Sequence, residues 1–376
     1  DQLVASGTSM LVLTGGEPLL RSDVVDLAAR GSSQGLLVVL GTNGMLLSPS
    51  RVRDLKAAGV AGAGISLDSV HREKHDAFRG VDGAWEGAVR GIRACVAEGL
   101  PVLLQMTVLP WNYQEVAEAI ELAHHEGATG FTLYFLVCTG RGEELSDITP
   151  QQYDEALASL VEAQGRYPQM MVRARCAPQI SRVASQQSSA LVGNAGCLAA
   201  RQYCRITPEG EVTACPYLPQ VAGSLRERSF GPIWQDSLLL QRLREEVPGG
   251  RCGRCDFREL CGGCRARAFA LTGDIFAEDP WCAYEPAVPM DVKQGGPPVW
   301  NQEALKRLQR IPPFIRQRVK LAVERYAQSN HEGEITPAMM TATLDSLGRR
   351  IPFRRPQNVA GTGPPHPGED SREDPG

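Results

Sequence analysis

The sequence predicts an α/β protein: a parallel sheet or barrel, then a small cysteine-rich module, then a short helical segment. Three observations predict it. Apolar runs alternate with amphipathic stretches up to residue 167. Eight of the eleven cysteines fall between 197 and 282. Residues 299–350 return to a helical pattern. A chain of 376 residues with 43% hydrophobic residues exceeds one small core and suits two or three domains.

The strand–helix units run in order. "MLVLTGG" (10–16) reads as a buried strand and "RSDVVDLAARGS" (21–32) as a helix with a glycine stop. "LLVVLGTNG" (36–44) is a strand that ends in a turn. "SPSRVRDLKAAG" (48–59) is a helix with Ser48 as cap and Pro49 at its first position. "GAGISLD" (62–68) is a strand and "GAWEGAVRGIRACVAEG" (83–99) a helix. "PVLLQMTVL" (101–109) and "TGFTLYFLV" (129–137) are two more strands, and "TPQQYDEALASLVEAQGRY" (149–167) is a further helix. The strand runs are continuously apolar, as when both faces of a parallel sheet are covered. Such repeats place function at the C-terminal strand ends.

The texture changes near residue 188. These shifts divide the chain into 1–188, a cysteine-rich unit at 189–290, a linker at 291–298, helices at 299–350 and a polar tail at 351–376 expected to be disordered. Thr336 and Pro337 mark the start of the last helix. The net charge of −4 gives no basic field for nucleic acid. No apolar run approaches the ~20 residues of a membrane span, and no signal peptide opens the chain, so a cytoplasmic protein is expected. The chain has no initiator Met and its first strand begins at residue 10, which suggests that the natural N-terminus lies further upstream.

Three strand ends carry polar groups. In "TGGEP", Gly15 and Gly16 offer bare backbone, Glu17 a carboxylate and Pro18 a helix start. Carbonyls plus a carboxylate suit an ammonium rather than a phosphate. "GTNG" supplies Thr42 and Asn43, and "ISLDS" supplies Ser66 and Asp68. Each alone reads as turn chemistry; three on one rim read as a site.

These motifs resemble the radical S-adenosylmethionine (SAM) superfamily over residues 1–188. In that family GGEP binds the methionine amino group of SAM at the end of the second strand, and later strand ends hold its ribose and carboxylate. The resemblance implies SAM contacts from Gly15, Gly16, Glu17, Thr42, Asn43, Ser66 and Asp68. "HDAFRGVDGAW" (75–85) resembles a segment of members with extra clusters. The fold implied is a partial (βα)6 TIM-like radical SAM barrel lacking its first strand. The family's Cys-x3-Cys-x2-Cys motif for the catalytic [4Fe–4S] cluster precedes GGEP, and no cysteine lies ahead of Gly15 here. On this reading the chain as it stands would not cleave SAM by itself, and truncation is the simplest account.

The cysteine-rich unit reads Cys197, Cys204, Cys215, then Cys252-x2-Cys255-x5-Cys261-x2-Cys264, then Cys282. Paired Cys-x2-Cys units bring two thiolates to one metal or cluster. Zinc ribbons are one reading of such spacing. The full pattern, with Cys197-x12-Gly210-x4-Cys215, is similar to the SPASM domain, which holds one or two auxiliary [4Fe–4S] clusters. Carried over by order, Cys197, Cys204, Cys215 and Cys264 hold one cluster, and Cys252, Cys255, Cys261 and Cys282 the other. Two residues separate Cys261 from Cys264, where some members have three. Cys95 fits a helical core; Cys138 ends a strand; Cys176, in "RARCAPQI", falls at the edge between barrel and cysteine-rich unit.

Arg141, Arg173, Arg175, Arg201, Arg205, Arg265 and Arg267 gather around this region, and guanidinium forks suit carboxylates. Arg141 and Arg205 are the substrate candidates. Residues 299–350 resemble the helical C-terminal domain of light-independent protochlorophyllide reductase subunits. Taken together, the chain resembles the heme-biosynthesis (heme b and heme d1) branch of radical SAM/SPASM enzymes. That implies reductive SAM cleavage to a 5′-deoxyadenosyl radical, hydrogen abstraction from a tetrapyrrole, oxidative decarboxylation of porphyrin propionates, and an electron donor such as ferredoxin or flavodoxin. Two other readings stand: a radical SAM peptide maturase, and a non-catalytic iron–sulfur electron-transfer module.

Overall fold

The computed structural model describes residues 1–139, 147–187, 196–286, 299–311 and 334–348, with positions 316, 319, 320, 323, 324, 326 and 327 between the last two. After a short helix α1 (Gln2–Ala5), strand–helix units follow: β1 (Met10–Leu13), α2 (Val24–Ser33), β2 (Leu37–Thr42), α3 (Pro49–Ala57), β3 (Val60–Ser66), α4 (Arg72–Arg79), α5 (Ala84–Ala97), β4 (Val102–Val108), α6 (Val116–His125), β5 (Gly130–Phe135), α7 (Pro150–Arg166), β6 (Met171–Arg175) and α8 (Ile180–Gln186). The six strands pair in parallel in the order β1-β2-β3-β4-β5-β6, a curled half-barrel with helices around it. Parallel neighbours need a crossover, and a helix supplies each one.

Helix starts follow local chemistry. Ser48 Oγ accepts the Arg51 N–H and Pro49 opens α3. Thr149 and Gln152 close a reciprocal capping box ahead of α7. Helix α5 lies so close to the Gly44 turn that a Cβ on Gly91 would stand 2.5 Å from the Gly44 carbonyl oxygen.

The strands are less uniform than their apolar look suggests. Side chains alternate across a strand. One set, including Val38, Leu40, Ile65, Leu104, Met106, Phe131, Leu133, Val172 and Ala174, is buried in the core under the helices. The alternate set faces the hollow of the half-barrel and holds Gly64, Gln105, Thr107, Thr132, Tyr134, Arg173 and Arg175. The sixth strand went unread in the sequence because "MVRAR" is short and two of its five residues are arginine. The core it shares with α7 and α8 makes it a strand.

Next come a three-stranded antiparallel sheet, β7 (Arg205–Ile206), β8 (Glu211–Thr213) and β9 (Val221–Ser224), and four short helices, α9 (Phe230–Asp236), α10 (Leu238–Glu245), α11 (Gly250–Arg254) and α12 (Arg265–Thr272). Their core centres on Ala200, Ala214, Leu218, Leu240, Leu243 and Cys264. This unit is fastened to the barrel. Trp281 Nε1 donates to the Ile148 carbonyl at 2.5 Å, and the Phe230 amide donates to Gln2 Oε1 at 2.9 Å. The last described segment pairs β10 (Val299–Trp300) with β11 (Glu334–Ile335) in parallel. These strands pack with α13 (Gln302–Gln309) and the helix Pro337–Gly348 around Ala304, Leu308, Val323, Ile335 and Met340. The tail at 351–376 and the linker at 291–298 lie outside the described residues.

Candidate functional site

The rim at the ends of β1, β2 and β3 is organised by one carboxylate. Glu17 Oε1 accepts the Thr42 hydroxyl at 2.6 Å and the Leu19 amide at 3.1 Å, and Oε2 accepts the Asn43 amide at 2.8 Å. Thr42 is buried and also accepts the Gly44 amide at 3.1 Å; Asn43 Oδ1 accepts the Met45 amide at 2.9 Å. Beside Glu17, Gly15 and Gly16 expose bare backbone, with nothing within 4 Å of where a Cβ would stand. Gly15 has φ +146°, a conformation that L side chains rarely adopt. Ser66 closes β3, half-buried. The structure therefore gathers Gly15, Gly16, Glu17, Thr42 and Asn43, with Ser66 at the end of the neighbouring strand.

Asp68 is not on that exposed rim. Its carboxylate is 0% exposed. Oδ2 takes Arg79 Nε at 2.8 Å and Oδ1 takes the Thr107 amide at 2.9 Å. Its own amide donates to His75 Nδ1, and Asn112 donates to its carbonyl. Burial lowers the His75 pKa below the usual imidazole value, which keeps the ring neutral and able to accept that bond. Asp68 thus ties β3 to β4 and α4 from beneath, and a direct bond to a ribose would have to displace one of these partners.

The hollow of the half-barrel carries a second set of polar groups. Thr132 and Arg173 are opposite each other on β5 and β6, as are Tyr134 and Arg175. Thr132 Oγ1 and Arg173 Nε are both buried without a hydrogen-bond partner. Burial, with Arg175 adjoining, pulls the Arg173 guanidinium down to about 10, and burial raises the Tyr134 phenol. Orphaned buried donors call for an acceptor. The two substrate candidates fare differently. Arg205 is exposed on β7, its Nη1 3.5 Å from the Pro216 carbonyl, and Arg141 lies outside the described residues.

The cysteines sort into two groups. Cys252, Cys255, Cys261 and Cys282 line one pocket, with Arg182 and Asp279 in its wall. The Asp279 amide points at Cys252 Sγ (3.3 Å) and the Phe257 amide at Cys255 Sγ (3.4 Å). Buried Arg182 Nε has no partner. Donors aimed at sulfur and an orphan cation donor at the cavity wall fit an iron–sulfur cluster held by these four thiolates. Among the described residues no three His, Cys, Asp or Glu side chains form a group able to hold a single metal ion.

The other group is Cys264 with Cys197, Cys215 and Cys176 packed against its core. Burial, then Cys264, Cys215 and Cys197 nearby, pushes the Cys176 thiol well up. Burial and Cys197 hold Cys264 at about 11, against the pull of Arg267. Cys204 lies elsewhere, packed with Val212, Phe230, Ile233 and Leu3, and burial alone lifts it to about 11. Linear order, which placed Cys204 with Cys197, Cys215 and Cys264, therefore does not match the packing. Of the arginines, Arg267 is spent internally: it pairs with Asp279 at 3.0 Å, the two side chains 1% and 0% exposed. Arg265 braces the Cys261–Cys264 loop through the Gly262, Ile275 and Ala277 carbonyls.

Comparison with known proteins adds to this geometry. Residues 1–123 match the radical SAM superfamily, 197–265 the iron–sulfur cluster-binding SPASM domain, and 300–343 the proto-chlorophyllide reductase 57 kD subunit. The AdoMet-dependent heme synthase of Methanosarcina barkeri is 38% identical over 76% of this chain and 85% of that protein. The heme synthase of Nitratidesulfovibrio vulgaris is 35% identical over 74% and 80%. The pre-heme d1 synthase of Dinoroseobacter shibae is 34% identical over 72% and 73%. Among solved structures, Streptococcus suis SuiB with its precursor peptide aligns with a TM-score of 0.61 and 15% identity, over 75% of this chain and 67% of that one. The anSMEcpe structure with bound AdoMet aligns with a TM-score of 0.57 and 15% identity, over 72% and 78%. At that identity the structures share the fold alone.

Proposed function

The chain belongs to the radical SAM superfamily, in the group that carries an SPASM iron–sulfur domain, and from that premise we propose that it modifies a tetrapyrrole by oxidative decarboxylation of propionate side chains. It is an enzyme whose cofactors are SAM and [4Fe–4S] clusters. No helix among the described residues is long and apolar enough to cross a membrane. The many thiols and oxygen-labile clusters favour a reducing cytoplasm, with a ferredoxin- or flavodoxin-like electron donor.

The observation that carries the reading is the pair of lumen arginines on β6. Arg173 and Arg175 sit two residues apart on the face opposite the core, in a chain 38% and 35% identical to two proteins named heme synthases. Guanidinium groups recognise carboxylates with paired bonds. Arg173 Nε and Thr132 Oγ1 have no internal partner to give up. Burial raises the Tyr134 phenol, which stays protonated and able to donate a hydrogen bond to a carboxylate.

The chemistry supplied by the bound cofactors is a 5′-deoxyadenosyl radical that takes one hydrogen atom, and an auxiliary cluster that takes one electron. For each propionate, –CH2–CH2–COO⁻ becomes –CH=CH2 as CO2, one hydrogen atom and one electron leave. The protein's part is positioning. Glu17 and the Gly15–Gly16 backbone hold the SAM ammonium. Thr42 and the Asn43 amide fix the Glu17 carboxylate, and Ser66 and Asn43 contact the ribose or carboxylate of SAM. Asp68 acts from below by fixing the ends of β3 and β4. Arg173 and Arg175 hold propionates in the hollow of the barrel. The PqqA peptide cyclase of Granulibacter bethesdensis, named for a peptide, is 29% identical, below the two heme synthases at 38% and 35%.

The test is anaerobic turnover of the intact gene product with dithionite, SAM and iron-coproporphyrin. Addition of the porphyrin is expected to raise 5′-deoxyadenosine formation and to release CO2. No stimulation by tetrapyrroles overturns the reading, and stimulation by a peptide alone would replace it with a maturase.

A further inference from the structure

We propose that Cys176 is the fourth thiolate of the auxiliary cluster held by Cys197, Cys215 and Cys264, in the place that linear order gives to Cys204. The proposal rests on the assignment of [4Fe–4S] clusters to the cysteine-rich unit and not on the tetrapyrrole reading.

Four observations meet at this residue. Cys176 directly follows β6 and so leaves the barrel at its C-terminal rim. It packs against the core that contains Cys264, together with Cys197 and Cys215, while also touching the barrel core. Its backbone is left-handed, with φ +57°, a region that β-substituted residues avoid without cause. The surroundings impose that turn: the Tyr153 hydroxyl at 3.0 Å and Arg267 Nη2 at 2.6 Å both donate to the Cys176 carbonyl.

The clamp is shared with an expected ligand. The Arg267 that holds the Cys176 carbonyl is paired with Asp279, and Asp279 Oδ2 accepts the Cys264 amide at 2.8 Å. One fully buried ion pair therefore fixes the backbone of Cys176 and of Cys264 together. Gln179, three residues past Cys176, also donates to Asp279 at 2.8 Å. Cys204 receives no such treatment. It packs with Val212, Phe230 and Ile233 and with Leu3 of α1, in an apolar cluster that includes none of the other cysteines.

The consequence is functional. A Cys176 ligand makes the barrel itself hold the cluster, at the end of the strand that carries Arg173 and Arg175. An electron leaving a substrate in the hollow would then meet the cluster one residue beyond the arginine that holds the substrate.

The test compares Cys176→Ala, Cys176→Asp and Cys204→Ala in the intact gene product, reconstituted anaerobically, by iron and sulfide content and by electron paramagnetic resonance. Cys252→Ala serves as the reference for loss at the other site. Cys176→Ala is expected to lose about four iron atoms relative to the unmodified protein, or to give a [3Fe–4S] signal on oxidation. Cys176→Asp is expected to retain iron with an altered spectrum, because a carboxylate can ligate where a packing residue would leave the spectrum unchanged. Cys204→Ala is expected to keep its full iron content and an unchanged spectrum. If the alanine variant does not fold, the Cys204→Ala and Cys176→Asp spectra decide the matter. Iron loss in Cys204→Ala, or an unchanged spectrum in Cys176→Asp, overturns the proposal.

Discussion

The rim at the strand ends and the cysteine-rich unit solve the same task, holding a reactive group, by opposite means. On the rim, Glu17, Thr42 and Asn43 are fixed by bonds between the ends of two adjacent strands, and glycines leave the space in front of them open. At the cysteine-rich unit the seven thiols that line the cavity or pack around Cys264 run from Cys197 to Cys282, Cys176 of the barrel joins them, and a buried ion pair holds the frame. Local turn chemistry can be edited with the fold intact. A site assembled from distant segments has its occupancy linked to folding.

The largest expected effect breaks the cysteine-rich side. Asp279→Asn leaves the Arg267 charge buried and unpaired, which costs about 3–5 kcal/mol in such pairs. Thermal or urea unfolding should show the loss, and iron content should fall at both cysteine groups, since Asp279 meets the Cys264 amide and lines the cavity of the other four. Replacing both partners with apolar residues should recover part of the stability. Unfolding of Asp279→Asn at the midpoint of the unmodified protein would show that this pair does not carry the frame.

The next effect probes the rim. Glu17→Gln removes a charged acceptor, and such bonds contribute about 1.5–3 kcal/mol. SAM affinity by calorimetry should fall roughly ten- to a hundredfold, with the auxiliary iron unchanged. An unaltered affinity would remove Glu17 from the site.

The two regions also differed in how far they could be read from sequence. "TGGEP", "GTNG" and "ISLD" each end a strand, so strand order alone put Glu17, Thr42 and Asn43 on one rim. Asp68 looked the same by position, yet its side chain is taken by Arg79 and the Thr107 amide, and no local pattern encodes a partner 39 residues away. The set Cys252, Cys255, Cys261 and Cys282 came from the SPASM resemblance and not from spacing, because proximity in the chain would have put Cys264, not Cys282, with the first three. Cys176 was seen as a boundary residue but not grouped, because its companions lie between 21 and 88 residues downstream and only the fold brings them near. The lumen arginines had a readable signal that the apolar template missed: in "MVRAR" the period of two survives with arginine on one face.

A smaller effect isolates backbone from side chain on the rim. Gly15 has φ +146° and open space around it, so Gly15→Ala meets no clash and pays only for its backbone conformation. The expected loss is about 1–3 kcal/mol of stability, with a tilt of the loop that weakens SAM. Gly16 has the same open surroundings without the positive φ, so Gly16→Ala should cost less. Equal melting temperatures for the two variants would mean that the Gly15 turn relaxes freely, and the rim would then be a looser site than the hydrogen bonds around Glu17 suggest.

The smallest effect separates Arg205, a substrate candidate on sequence, from Arg175, which the sequence did not put forward. Arg205 and Arg175 both lie near the cysteines in the chain, but Arg205 is exposed on a two-residue strand while Arg175 faces the hollow opposite Tyr134. Arg205→Ala should leave melting temperature, iron content and porphyrin-dependent 5′-deoxyadenosine formation unchanged, because an exposed side chain with one long contact to a carbonyl has little to lose. Arg175→Ala should leave iron content unchanged and raise the porphyrin concentration needed for half-maximal turnover. The reverse pattern, with Arg205 sensitive and Arg175 silent, would move the substrate out of the barrel hollow and onto the outer face of the hairpin. There the Gly15–Glu17 rim and the β6 arginines would no longer share one reaction space.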